Sequence, residues 1–364
     1  MRSFVHKLLY FAQVHKLLRC LRRNKVIILT YHGFTESKIH EGIENHQGKH
    51  LAIEKFKFHL EYLTKYHPII SLDRLIDDYQ QRKEPPDGAA VITFDDGYKS
   101  NYALAFPLLK QFNVPAAIFL TTSFVDGKKY LWTDRVEYAV SKANPGVFEL
   151  NIEQDLGNEF SLEVITHDRD SRKASEKNVR TELKAVSQEL RFKSVEGLEN
   201  ALGNKLSEGG NSPDIYQPLE WDEITEMVKS GLVSIGSHSH THPILTRCKS
   251  DDLKTELFLS KDIIERKTDI KCRFFCYPNG QPGDFNDMTG KMLQDAGYAC
   301  GLTTVPGGND KDSDVFELKR IGVPYDGDRI DFIMNFYGVT QFLSNIKQSV
   351  LKLFNIGRTQ TSVH

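Results

Sequence analysis

Residues 89–98 read Ala89-Ala90-Val91-Ile92-Thr93-Phe94-Asp95-Asp96-Gly97-Tyr98. The run from Ala89 to Thr93 is apolar or β-branched without alternation, the pattern of a strand buried on both faces. Two carboxylates and a glycine stand just past its end. Similar runs recur on either side. Val26 to Thr30 precedes Tyr31-His32-Gly33, and Val114 to Thr121 forms another short strand. Gly231 to Gly236 precedes His238-Ser239-His240-Thr241-His242-Pro243, and Arg273 to Tyr277 leads into Pro278-Asn279-Gly280. Ala299 to Thr304 is the last. Segments of helical period lie between them, at Ile53 to Lys65, Leu72 to Tyr79, Tyr102 to Phe112, Trp221 to Ser230, Asp252 to Lys267 and Thr289 to Ala296. Strand–helix alternation of this kind predicts an α/β fold with a parallel sheet.

The chain has 364 residues, 40% of them hydrophobic, and a formal net charge of -2. That length supports one large core with appendages, and the charge balance gives no reason to expect nucleic acid. The two ends differ from the rest. Residues 1–24 fit one basic amphipathic helix, with Val5, Leu8, Leu9, Ala12, Leu17, Leu18 and Leu21 at helical spacing among lysines and arginines. Residues 341–364 repeat the pattern with Phe342, Ile346, Val350, Leu351 and Phe354. Both suggest peripheral contact with an anionic membrane; the alternative is helices packed on the protein body with their basic residues solvated. Between these ends lies a main domain over 25–340. An insertion at about 141–215 interrupts it, rich in Glu, Lys, Asn and Ser and with one helical piece near Asn178 to Leu190. The five cysteines are an odd number without a C-x-x-C pair, as free thiols in a reducing compartment would be. With no stretch of membrane-spanning length and no signal-peptide pattern, the expectation is a cytoplasmic protein.

Carboxylates and imidazoles just past strand ends can hold a divalent cation and keep a position open for water. Asp95-Asp96-Gly97 alone reads equally as a turn with a helix cap. The histidine segment is more specific, because three imidazoles within five residues are hard to satisfy as core packing. An extended chain would pair His238 with His240. A tight turn would instead converge His238 and His242, and the flanking Gly236-Ser237 and Pro243 favour that choice. The third segment, Phe275-Cys276-Tyr277-Pro278-Asn279-Gly280, reads by itself as a strand ending in a turn.

Together the three segments resemble the NodB-type polysaccharide deacetylases, carbohydrate esterase family 4. Thr93-Phe94-Asp95-Asp96-Gly97 is similar to that family's first motif, and His238-Ser239-His240-Thr241-His242 to its His-[Ser/Thr]-x-x-His motif. Phe275 to Gly280 resembles the third. The resemblance spans roughly residues 26–340 in matching order. It implies a distorted (β/α) barrel with its site at the strand C-termini. It implies that Asp96, His238 and His242 bind a metal, most simply zinc with cobalt, nickel and manganese as alternatives, and that Asp95 is the general base. The implied reaction is removal of N-acetyl groups from an N-acetylated polysaccharide or lipid-linked saccharide, the oxyanion being held by the metal and the Tyr277 backbone N–H. Rivals are an O-acetyl esterase or deformylase on the same scaffold, or an inactive saccharide-binding module.

Two departures from the family pattern stand out. The third motif's Arg, which orients the base, is replaced by Cys276; Arg273 lies on the opposite strand face. The C-terminal Leu-x-His motif is missing. Ile28-Leu29-Thr30-Tyr31-His32 instead resembles the permuted arrangement of the biofilm poly-N-acetylglucosamine deacetylases, which makes His32 the general acid. Leu131-Trp132-Thr133-Asp134 resembles that branch's groove-lining segment, so Trp132 is the candidate sugar-stacking residue, with packing under the insertion as the alternative. Arg320, on a late strand near the candidate site mouth, is expected to be a surface or structural residue at least as readily as a functional one.

Overall fold

The computed structural model describes residues 2–36, 42–127, 129–153, 159–206 and 212–346. At its centre lie β1 (Ile27–Tyr31), β2 (Ala90–Phe94), β3 (Ala116–Leu120), β4 (Val233–Ser237), β5 (Phe274–Cys276), β6 (Cys300–Leu302) and β7 (Arg320–Gly322). All pair in parallel, in the order β6-β5-β4-β3-β2-β1-β7. Leu318, just before β7, bridges back to Leu302: its N–H donates to the Gly301 carbonyl at 2.9 Å, and its carbonyl accepts from Thr303 N–H at 2.8 Å. The sheet thus closes into the expected distorted (β/α) barrel.

Uninterrupted apolar strands serve two surfaces at once. Ile28, Val91, Phe119, Phe274 and Leu302 share one cluster with Leu72, Leu75 and Ile76 of the helix Leu72–Gln80. The intervening residues Leu29, Ile92, Ile118 and Ile235 pack outward against Phe56, Leu60, Leu109, Ile224 and Leu257 of the surrounding helices. Each buried aliphatic side chain contributes about 1.5–3 kcal/mol, and alternation places one on each surface in turn.

At the N-terminus, α1 (Arg2–Phe11) and α2 (Val14–Leu21) replace the single expected helix. The break falls at Gln13, in the left-handed region at φ 61°. The insertion is more regular than its composition suggests. Antiparallel strands Val147–Glu153 and Glu159–Ile165 lead into α3 (Arg169–Ala185) and α4 (Gln188–Leu202), where the sequence indicates one short helix. With the helix Trp132–Lys142 they enclose a separate cluster that includes Val136, Leu150, Val179, Leu183 and Leu198. The inward positions of α3 include Ser175 and Glu176, which dilute the apolar stripe. Buried Glu176 is held by His46 at 2.9 Å and Arg180 at 3.2 Å. Helix α5 (Arg329–Phe336) receives α1, whose buried His6 lies 2.6 Å from Asp331. Residues 339–346 are helical; the expected tail beyond 346 lies outside the described residues.

Candidate active site

Past β2 the chain turns at Asp96 (φ 75°) and Gly97 (φ 91°). A Cβ on Gly97 would stand 2.9 Å from Leu120, so both conformation and space call for glycine there. Past β4, His238 N–H donates to the Leu120 carbonyl at 2.8 Å, and its Nδ1 lies 2.7 Å from the Cys276 carbonyl. A carbonyl only accepts, so Nδ1 carries the proton and Nε2 keeps its lone pair. The loop then tightens. Ser239 Oγ accepts from His242 N–H at 3.0 Å, and Glu256 accepts from the N–H groups of His240 and Thr241, both at 2.8 Å. His240 turns to Thr122, with Nδ1 at 2.9 Å from its Oγ1.

The turn brings His238, His242 and Asp96 together. Nε2 of His238 and of His242 lie 3.7 and 3.6 Å from Asp96 Oδ1, which is buried with no hydrogen-bond partner. Burial pushes both imidazoles below their ordinary range and so favours the neutral, ligating form. It pushes Asp96 up to about 6. Lone pairs facing an orphaned carboxylate oxygen repel one another unless a cation or proton lies between them. The donor set fits a divalent ion of intermediate hardness. Asp95, His238 and Cys276 form a second close group, but the cation described next occupies it.

That cation is Arg320. It is 1% exposed and grips Asp95 with two bonds, Nη1 to Oδ1 at 2.8 Å and Nη2 to Oδ2 at 2.7 Å. Its Nε donates to the Thr303 carbonyl at 2.8 Å, and its Nη2 reaches Cys276 Sγ at 2.9 Å. Burial alone would raise the Asp95 carboxyl, but Arg320, His238 and their charge drive it well below the usual carboxylate range. The surface alternative for Arg320 is therefore corrected: the residue is buried against Asp95, inside the site. Arg273 instead pairs with Asp73 at 3.2 Å and Asp77 at 2.6 Å, away from Asp95.

A cavity of about 300 Å³ opens above these groups, lined by His32, Asp95, Asp96, Trp132, His238, His242 and Tyr277 among others. His32 is held through its own carbonyl, which accepts from Asn101 Nδ2 at 2.7 Å. Burial lowers its pKa, and Asp96 and Asp95 partly oppose that. Tyr277 requires a correction. Its backbone N–H donates to the Leu302 carbonyl at 2.9 Å as part of strand pairing, so it is not the free oxyanion donor that the resemblance implies. Its ring is buried and stacks on Phe285, with centroids 4.9 Å apart, which leaves little of it for a sugar. Trp132 lines the cavity but is only 5% exposed, packed in the insertion's core beneath the Arg191 guanidinium at 5.2 Å.

Comparison with known proteins agrees with this geometry. A sequence model of the polysaccharide deacetylase family matches residues 82–196 and 199–301, more than half of the chain. The chain belongs to the polysaccharide deacetylase family. Among curated relatives, YxkH of Bacillus subtilis (strain 168), which carries the family's name, is 21% identical over 243 residues, 67% of this chain and 54% of that one. The poly-β-1,6-N-acetyl-D-glucosamine N-deacetylase of Escherichia coli (strain K12) is 39% identical over 61 residues, 17% of this chain and 9% of that protein. The chain thus spans about half or less of the curated relatives it matches. Among solved structures, Streptococcus pyogenes deacetylase PplD in complex with acetate has a TM-score of 0.55 at 16% identity, covering 86% of this chain and 98% of that one. A de-N-acetylase from Aggregatibacter actinomycetemcomitans has a TM-score of 0.54 at 18% identity, covering 86% and 99%. At such identities the structural likeness speaks for the fold.

The arginine that grips Asp95 comes from β7, while the third-motif position holds Cys276. The sequence did contain a signal. An arginine inside a buried strand needs an anionic partner, and Asp95 was the carboxylate left without its orienting group. The cavity's other wall comes from the insertion, through Arg180, Lys184 and Arg191. Nothing in the family motifs points to these three. Gln188 bonds Thr241, and Arg247 donates to the Ala185 carbonyl at 2.7 Å, so the insertion is fastened to the histidine loop.

Proposed function

We propose that this chain is a metal-dependent hydrolase that removes N-acetyl groups from an N-acetylated polysaccharide or lipid-linked saccharide. The observation that carries the proposal is the meeting of Asp96, His238 and His242 around an orphaned carboxylate oxygen, with a second carboxylate alongside. Those three residues would hold the ion, zinc before cobalt, nickel or manganese. Such an ion supplies Lewis-acid stabilisation of developing negative charge. Asp95 accepts a proton from the attacking water, and Arg320 keeps its carboxylate ionised and aimed. His32 protonates the amine as the C–N bond breaks. The atoms balance: water and an acetamide become acetate and a free amine.

Purified protein loaded with zinc should release acetate from N-acetylglucosamine oligomers, and chelation should stop it. Asp95→Asn should bind the oligomer without releasing acetate. A zinc-loaded protein that binds saccharide yet yields no acetate would reduce the chain to a binding module. Release only from O-acetyl or N-formyl substrates would move it to the rival chemistries.

We further propose peripheral contact of the N-terminal helices with an anionic membrane, on the cytoplasmic side that five free cysteines favour. Supporting this, Phe4 and Phe11 are 73% and 76% exposed, with Leu8 and Leu17 also exposed, among Lys7, Lys16 and Arg19. Full-length protein should sediment with phosphatidylglycerol vesicles, and deletion of residues 1–24 should abolish this; failure of the full chain to bind ends the idea.

A further inference from the structure

We infer that the saccharide carries a negative charge, carboxylate or phosphate, close to the acetamide that is cut, and that helix α3 with the start of α4 forms its recognition site. This rests on the deacetylase reading and names the substrate class for it. The cavity's two walls differ in charge. The barrel wall holds Asp95, gripped by Arg320, Asp96, which faces the two histidines, and Lys49, which is paired with Asp134. The insertion wall presents Arg180, Lys184 and Arg191, and among the described lining residues it presents no acid.

Charge balance is incomplete at Arg180 and Lys184. Arg180 reaches Glu176 through Nη1 at 3.2 Å, but Glu176 is shared with His46, and Arg180 Nε is buried with no partner. Lys184 Nζ donates to Asn279 Oδ1 at 3.0 Å, a neutral acceptor. Burial, most of all, and the neighbouring Arg180 weaken its hold on its proton, and Asp284 and Glu176 only partly oppose them. Arg191 donates to the Leu183 carbonyl at 2.8 Å and lies over the Trp132 ring. Cations held together against their own repulsion, facing a cavity, are arranged for an anion to arrive. The Lys184–Asn279 bond also places this wall directly against the loop after β5, on the same cavity as Asp96, His238 and His242.

The test compares three N-acetylated substrates on the zinc-loaded full chain: a neutral N-acetylglucosamine tetramer, a tetramer alternating glucuronate with N-acetylglucosamine, and N-acetylglucosamine 1-phosphate. One or both charged substrates should exceed the neutral one in kcat/KM by about tenfold or more, as a charge-assisted bond allows. The more favoured charged substrate identifies the anion. Lys184→Met and Arg180→Met should each bring the charged-to-neutral ratio down towards unity, and added salt should do the same in the parent protein. A neutral tetramer cut as well as both charged ones overturns the inference, as do variants that leave the ratio intact. If no substrate yields acetate, the deacetylase reading fails. The charge inference is then decided by calorimetric binding to the zinc-loaded Asp95→Asn protein: tighter binding of a charged saccharide upholds it, and equal or absent binding overturns it.

Discussion

At the scale of single residues, the pairing with Arg320 governs how Asp95, the proposed base, behaves. Both are fully buried, so removing one charge leaves the other stranded, at a cost of about 3–5 kcal/mol. Arg320→Met should lower the melting temperature at neutral pH and reduce kcat far more than it raises KM. The sign of the pH dependence follows from the depressed Asp95 carboxyl. Its stabilisation is present above the unfolded carboxylate pKa and is lost as pH falls through the lower folded one. The stability gap between parent and variant should therefore narrow on acidification, while the acid limb of the pH–rate profile moves upward in the variant. A variant whose acid limb stays in place, measured by acetate release, would show that Arg320 does not orient or ionise the base. This contact was only partly legible in the sequence. The partners are 225 positions apart, and they meet because β1 separates β2 from β7, with Ile28 opposite both Val91 and Arg320. Strand order has to be known before the arginine can be assigned. The histidine pair was more legible, because Pro243 and the preceding glycine and serine mark a turn, and the turn is what turns His240 away towards Thr122.

At the scale of elements, apolar runs gave away the barrel strands, since each strand is buried on both faces and has no polar alternation to confuse its reading. The helices of the insertion and the helix Trp132–Lys142 that packs with them hid themselves by burying polar groups, Glu176 in α3 and Glu137 in the latter. Glu137 offers a test of that burial. Its Oε1 accepts from Tyr216 OH at 2.8 Å and from Asn45 N–H at 3.1 Å. Burial, with Asp134 adding to it and Lys49 opposing, pushes its pKa up to about 7. A raised folded-state pKa contributes most below the unfolded value, and that contribution disappears as pH climbs from the unfolded to the folded pKa. Glu137→Gln keeps an acceptor oxygen for both bonds and has no charge to bury. It should match the parent's stability near pH 4.5 and exceed it at pH 8 by on the order of 1–3 kcal/mol. Thermal melts at the two pH values decide this; a difference that does not change with pH would mean that Glu137 titrates normally.

At the scale of the whole molecule, the candidate site joins parts of the chain that nothing else in sequence connects. Asp96 follows β2, His238 and His242 follow β4, and the insertion's helices close over them through Gln188 and Arg247. Without a cation, Asp96 Oδ1 remains buried and unpaired, a charge the folded state must tolerate. An ion bound there should stabilise the folded chain specifically, because the unfolded chain does not hold the three ligands together. At zinc concentrations 100 to 1,000 times the dissociation constant, linkage gives about 3–4 kcal/mol. For a chain of 364 residues that corresponds to a melting-temperature rise of about 4–5 °C. Chelation should reverse the rise, and His238→Ala or His242→Ala should remove most of it. Asp96→Asn should behave differently from the histidine variants: without ion it relieves the buried charge and melts higher than the parent, and with zinc it gains little. If zinc leaves the parent's melting curve unmoved, or if Asp96→Asn gains as much from zinc as the parent does, these three side chains do not form the binding centre, and the hydrolytic reading built on them falls with it.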